Sequence, residues 1–238
     1  MSVEAAPPNY FLNPAARLRG ESVGQDRSNL VIIDDVLSNA DEIVEHVCAH
    51  GVFAPPSDTL YPGLNAVMPD AQIRTLMDAL HPLLRDAYGA PADAAMGYRG
   101  FYSLVTLPPE GLAPAQTIPH IDNLRQFRIA AVLYLCDETF GGTGFFRQKR
   151  TGFERITPDR WERYDAACQE ELKTRATGGY FQDSDADYER VGQVEARFNR
   201  LVIYPSSLLH SGLVKPELLS ADPRKGRLTG NLFIGISA

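Results

Sequence analysis

A histidine and an aspartate stand two residues apart at His120-Ile121-Asp122, and a second histidine, His210, follows 90 residues after the first. Two imidazoles and one carboxylate are the ligand set of a non-haem iron(II) site. Three side chains take one face of the ion, and the remaining positions stay open for a co-substrate and dioxygen. The spacing has a structural requirement. Alternate side chains of a strand point the same way, so His120 and Asp122 share a face there; on a helix they would diverge by about 200°. Pro119 fits a strand start better than a helix interior. Beyond His210 comes Gly226-Arg227-Leu228-Thr229. On a strand Arg227 and Thr229 share a face, and a guanidinium fork with a hydroxyl suits the far carboxylate of a 2-oxo diacid whose other end chelates the metal. The competing reading of Arg227 is a structural ion pair, and Arg224 is the alternative cation. His46 and His50, four apart, could clamp a metal. They lack a third ligand and sit where cations complement a helix C-terminus.

The elements that must position these residues change character along the chain. Met1 to Asn29 is polar and rich in Pro and Gly and reads as irregular. Leu30 to Ile33 reads as a strand. A helix is expected from Ala40 to His50, with Gly51 as its C′ residue. A second is expected from Ala71 to Tyr88, kinked or split by Pro82. From Arg99 the apolar period falls to two. Strands are expected at Phe101–Thr106, Thr117–Asp122, Phe127–Cys136, Phe145–Arg147, Arg200–Tyr204, Leu208–Val214 and Leu228–Ile236. Helices followed by many short strands with Gly/Pro turns predict a mainly β fold with flanking helices, a double-stranded β-helix or jelly roll. One domain over 1–238 is expected: helical support in 1–98, then a jelly-roll core in 99–238. The core is interrupted by a helical and loop insertion at 148–198, which carries Trp161, Tyr164, Tyr180 and Phe181. The insertion's acidic stretch (Asp183, Asp185, Asp187, Glu189) hints at a cationic or peptide substrate.

Bulk properties narrow the function classes. With 238 residues, 44% of them hydrophobic, the chain can bury one sizeable core. A net charge of −7 argues against a nucleic-acid partner. The three cysteines show neither metal spacing nor a disulfide framework, which points to a reducing compartment. Met1–Leu12 does not read as a signal peptide, and no apolar run is long enough for a membrane span. A cytoplasmic protein is the expectation.

In the order Tyr102, His120-Ile-Asp122-Asn123, Leu133-Tyr134-Leu135, Gly141-Gly142, His210-Ser-Gly and Gly226-Arg227-Leu-Thr229, the chain resembles the Fe(II)/2-oxoglutarate-dependent dioxygenases, and most of all their prolyl-hydroxylase-like branch. The resemblance covers Arg99 to the C-terminus. It implies Fe(2+) on His120, Asp122 and His210, and 2-oxoglutarate on Arg227 and Thr229. It also implies that Tyr134, and less directly Tyr102, hydrogen-bonds the co-substrate. Halogenating relatives carry a small residue at the carboxylate position, so Asp122 implies hydroxylation of an amino-acid, peptide or small-metabolite substrate. The chain departs from the usual pattern in its long intervals from Asp122 to His210 and from His210 to Arg227. The alternatives are a non-catalytic jelly roll that binds a metal or ligand, and a zinc hydrolase with the same ligands.

Overall fold

The computed structural model describes residues 6–237 apart from 58, 90, 92–94, 125–127 and 176–177. Two antiparallel sheets form its centre. The larger takes β1 (Arg17–Val23), β2 (Ser28–Asp34), β3 (Gly63–Val67), β4 (Ala95–Val105), β5 (Arg128–Tyr134), β8 (Arg200–Pro205) and β10 (Leu228–Ser237). Their spatial order is β1-β2-β8-β5-β10-β4-β3. The smaller holds β6 (Thr143–Gln148) between β7 (Tyr188–Val194) and β9 (His210–Gly212). This is the mainly β jelly roll that the pattern of short strands predicts.

Side-chain parity divides the interior into layers. On β5, Ile129, Ala131 and Leu133 face α1 (Ala40–His50) and α2 (Asp70–Tyr88). The intervening Ala130, Val132 and Tyr134 face the smaller sheet, where Phe145, Val194 and Leu208 meet them. A strand buried on both sides has no polar alternation, which is why this segment is almost continuously apolar. α3 (Trp161–Thr174) covers the outer face of the smaller sheet, packing Tyr164 and Cys168 against Phe146, Tyr188 and Leu209.

Several elements depart from the sequence expectation. The first 98 residues are not helical support alone: β1, β2 and β3 extend the larger sheet at both edges. β1 falls within the stretch expected to be irregular. It is an exposed edge strand held by its backbone pairing to β2, so it needs no apolar alternation. α2 runs unbroken through Pro82, with Leu76, Leu80 and Leu84 buried around it. Thr117–Asp122 is not a strand. Pro114–Thr117 forms a 3-10 turn, and only His120 makes a β-bridge, to His210. The segment 148–198 is not wholly an appendage, since its β7 pairs with β6 in the smaller sheet. Phe127, the expected start of β5, lies outside the described residues.

Candidate metal centre

His120 and His210 come from opposite ends of the predicted motif and meet through their backbones. Each N–H donates to the other's carbonyl at 2.9 Å. That bridge supplies locally the two-residue periodicity that the missing strand would have given. Asp122 N–H then donates to Ser206 O at 2.9 Å, and Ser206 N–H to Arg128 O at 3.0 Å, tying the carboxylate segment to β5. Ile121 turns outward with Ile118 into the apolar layer beneath α3. There Tyr164 Oη lies 3.5 Å from Pro119 O. The insertion therefore buttresses the ligand segment from outside.

The three ligand atoms lie within 4.8 Å of one another. His120 Nε2 is 3.9 Å and His210 Nε2 3.6 Å from the Asp122 carboxylate. The imidazole rings stand 4.5 Å apart. His210 Nδ1 is 2.8 Å from Leu208 O, which selects the tautomer with Nδ1–H and leaves the Nε2 lone pair for a metal. Burial lowers the His210 pKa to about 4 and raises that of Asp122 to about 6. Burial and the His210 ring also lower His120. Its side chain is 52% exposed, so solvent limits that effect more than at His210, which is 7% exposed. Asp122 Oδ2 is buried without a hydrogen-bond partner. A carboxylate oxygen without a partner, facing two neutral imidazoles, is the donor set a divalent cation satisfies.

Arg227 opens β10 on the same interior. Its Nη2 donates to Gly142 O at 3.1 Å, its guanidinium carbon lies 5.5 Å from the Tyr134 ring centroid, and its Nε has no partner. Arg227 is 7% exposed, and no carboxylate among the described residues pairs with it. Gly141 and Gly142 make the contact to Gly142 O possible. Gly141 has φ +74°, and a Cβ on Gly142 would stand 1.9 Å from Val194 O. Thr229 is fully buried beside Arg227 and accepts a hydrogen bond from Asn231 Nδ2 at 3.2 Å. Arg224, the alternative cation, is exposed on the turn before β10.

The two tyrosines fare differently. Tyr134 lies inside, flanking Arg227, with its hydroxyl 2.6 Å from Thr143 Oγ1. Tyr102 is not brought to the cluster. Register places Ser103 opposite Thr229 and Tyr102 opposite Gly230, so Tyr102 faces the helices, 2.9 Å from Tyr10 Oη and 2.5 Å from Gln72 Oε1. Tyr61, which the sequence does not single out, comes to the site instead. Its buried hydroxyl sits beside Ser103, Thr229 and Arg227 without meeting hydrogen-bond geometry, and burial pushes its pKa up to about 12. No local motif marks it, because it precedes an edge strand far from the other site residues in sequence. The acidic stretch is ion-paired within the insertion and β6: Asp183 faces Arg190, Asp185 and Asp187 face Arg175, and Glu189 faces Arg147. Tyr164 and Phe181 are packed under α3, and Tyr180 donates to Leu107 O at 2.6 Å.

This chain belongs to DUF6445, a family of unknown function, whose model matches residues 14–234. No curated protein matches it. Among solved structures it is similar to HygX from Streptomyces hygroscopicus with nickel, 2-oxoglutarate and hygromycin B bound. That likeness has a TM-score of 0.50 and 14% identity over 88% of this chain and 84% of that one. The carbocyclase SnoK, described as non-heme and alpha-ketoglutarate dependent, gives 0.45 and 15% over 89% and 80%. EvdO2 from Micromonospora carbonacea var. aurantiaca, complexed with 2-oxoglutarate, gives 0.43 and 11% over 92% and 94%. At these identities the likeness to HygX is one of fold. No described helix is long and apolar enough to cross a membrane.

Proposed function

We propose that the protein is an Fe(II)- and 2-oxoglutarate-dependent oxygenase, with His120, Asp122 and His210 holding the metal. One observation carries the reading: the three-ligand cluster shares an interior with a buried arginine that has no acidic partner among the described residues. His210 and Gly212 are two residues apart on one face of β9, a span of about 6–7 Å. A Cβ on Gly212 would lie 3.9 Å from Arg227 Nη2. A five-carbon diacid bridges such an interval, with one end at the cluster and the other at Arg227, Thr229 and Tyr61. Tyr134 fills the wall between. HygX, which has this fold, is a protein crystallised with nickel and 2-oxoglutarate.

Bound together, the iron and the diacid supply dioxygen activation coupled to decarboxylation to succinate. The chain's own residues do the rest. Leu208 O fixes the His210 tautomer, and Ile121 anchors the ligand segment under α3. Asp122 fills the carboxylate position, which supports hydroxylation or a related oxidation over halogenation. The test is anaerobic titration of the protein with iron(II) and 2-oxoglutarate. A visible charge-transfer band should appear, followed by succinate on admission of air with ascorbate. Absence of both overturns the reading.

A further inference from the structure

Beyond the metal cluster, the inner face of the larger sheet is buried on β8 and β5 but partly exposed where β10 and β4 carry it, at Asn231, Phe233, Phe101 and Arg99. Register sets Tyr204, Ala130, Phe233 and Arg99 in one row across β8, β5, β10 and β4. The Tyr204 ring lies 4.9 Å from that of His210, so the row begins at the metal site. The adjacent rows carry Arg128 with Gly235, and Val132 with Asn231 and Phe101. By strand parity all these side chains share the face of Tyr134 and Thr229. The apolar layer between the sheets contains residues of β2, β5 and β8 but none of β4 or β10. Along β10 the consequence is direct: Leu232, Ile234 and Ile236 are buried toward the helices, while Phe233, on the inner face, is 36% exposed. An interior-facing aromatic left open in a small jelly roll is a vacant contact, because such positions are ordinarily filled.

Two arginines, Arg99 and Arg128, stand on this shelf, although the chain is net acidic. Arg99 places its guanidinium 4.7 Å above the Phe101 ring. Arg128 lies across Gly235, where a Cβ would be 3.5 Å from its guanidinium carbon. Arg128 therefore reaches over β10 in van der Waals range of Gly235. No carboxylate among the described residues pairs with Arg128. At the free edge of β4 a separate open cleft takes in Arg99 and Phe101 together with helix-side residues such as Met68, Ile73 and Tyr98, so the shelf is reached from solvent at this edge.

We propose that this shelf is the substrate site, and that its substrate is a small carboxylate or similar anion bearing an aromatic or flat apolar group. Arg128 pairs the anion beside the metal cluster, and Phe233 and Phe101 take the apolar part, with Arg99 at the outer rim. The assignment rests on the oxygenase reading for its chemistry but not for its geometry.

The test uses 3-phenylpropionate, its neutral amide and phenethylammonium as probes. Saturation-transfer NMR on the full chain measures binding. Proton relaxation in protein loaded with manganese(II) and 2-oxoglutarate measures approach to the metal. The carboxylate should bind at least about fivefold more tightly than the amide and relax fastest near manganese, with the cation weakest. Arg128→Gln should erase the preference for carboxylate over amide, and Phe233→Ala should weaken both, while manganese and 2-oxoglutarate still bind. Equal binding of the three probes, binding of none, or an unchanged preference in Arg128→Gln overturns the proposal. If manganese and 2-oxoglutarate themselves fail to bind, the oxygenase reading falls. The anion preference is still decided by saturation transfer in the metal-free protein.

Discussion

Replacing Arg227 with methionine separates a ligand-binding arginine from a structural one, because the two roles predict opposite changes in stability. In the unliganded chain Arg227 is buried, with one hydrogen bond to Gly142 O, a ring contact to Tyr134 and an unpartnered Nε. A buried cation without an anion carries an uncompensated desolvation cost, and an apolar side chain of similar length removes it. Allowing for the lost hydrogen bond, Arg227→Met should stabilise the apo protein by about 1–2 kcal/mol. For a domain of this size that raises Tm by about 2–8 °C. Affinity for 2-oxoglutarate should move the other way. Removing one partner of a buried charge pair costs about 2–5 kcal/mol, a loss of roughly 30- to several-thousandfold. Differential scanning calorimetry with and without 2-oxoglutarate reads both effects, and calorimetric titration with manganese(II) checks that the metal cluster is intact. A variant that melts lower than wild type in the apo form and binds 2-oxoglutarate within threefold of it would refute the reasoning.

The other site predictions follow the same geometry. Asp122→Ala and His210→Ala should each abolish measurable iron(II) binding in a calorimetric titration; retention of binding by either removes that residue from the ligand set. Tyr61→Phe should weaken 2-oxoglutarate by about 10- to 100-fold, the worth of a hydrogen bond to a charged group, and leave metal affinity unchanged. Asp34, 5% exposed, takes two bonds from Arg200 and one from Arg19, and these ion pairs hold its carboxyl below the usual value. Its stabilisation is therefore present above pH 4 and lost as pH falls through the depressed pKa. Asp34→Asn should cost about 1–3 kcal/mol by urea unfolding at pH 7, a range held down by the solvent-exposed Arg19. The gap from wild type should shrink by pH 3.

Parts of this arrangement are legible in the sequence because local chemistry forces them. α1 is observed over its expected range. β5 shows its burial on both faces as an unbroken apolar run. Other parts leave no local trace. β1 and β3 are edge strands with weak apolar alternation, since half their contacts are with water. The parity of β4 is ambiguous in isolation. Phe101, Ser103 and Val105 form one face, Tyr102 and Leu104 the other, and only the pairing Ser103–Thr229 decides which is inside. That one-residue distinction sends Tyr102 to the helix layer and leaves Tyr61 and Tyr134 as the tyrosines beside Arg227.

By itself the sequence named the candidate donor set, His120, Asp122 and His210, and the candidate pair Arg227 and Thr229. Residue type and two-residue spacing are local properties, and a carboxylate or a guanidinium keeps its chemistry wherever the chain carries it. Tertiary structure alone decided that His120 meets the chain through a bridge to His210 rather than a strand, that Arg227 rather than Arg224 is buried, and that Phe233 and Arg128 share the face of Tyr204, whose ring packs on His210. Those facts depend on which strands become neighbours. Sheet order and register are set by burying the whole interior at once, and no short stretch of sequence encodes them.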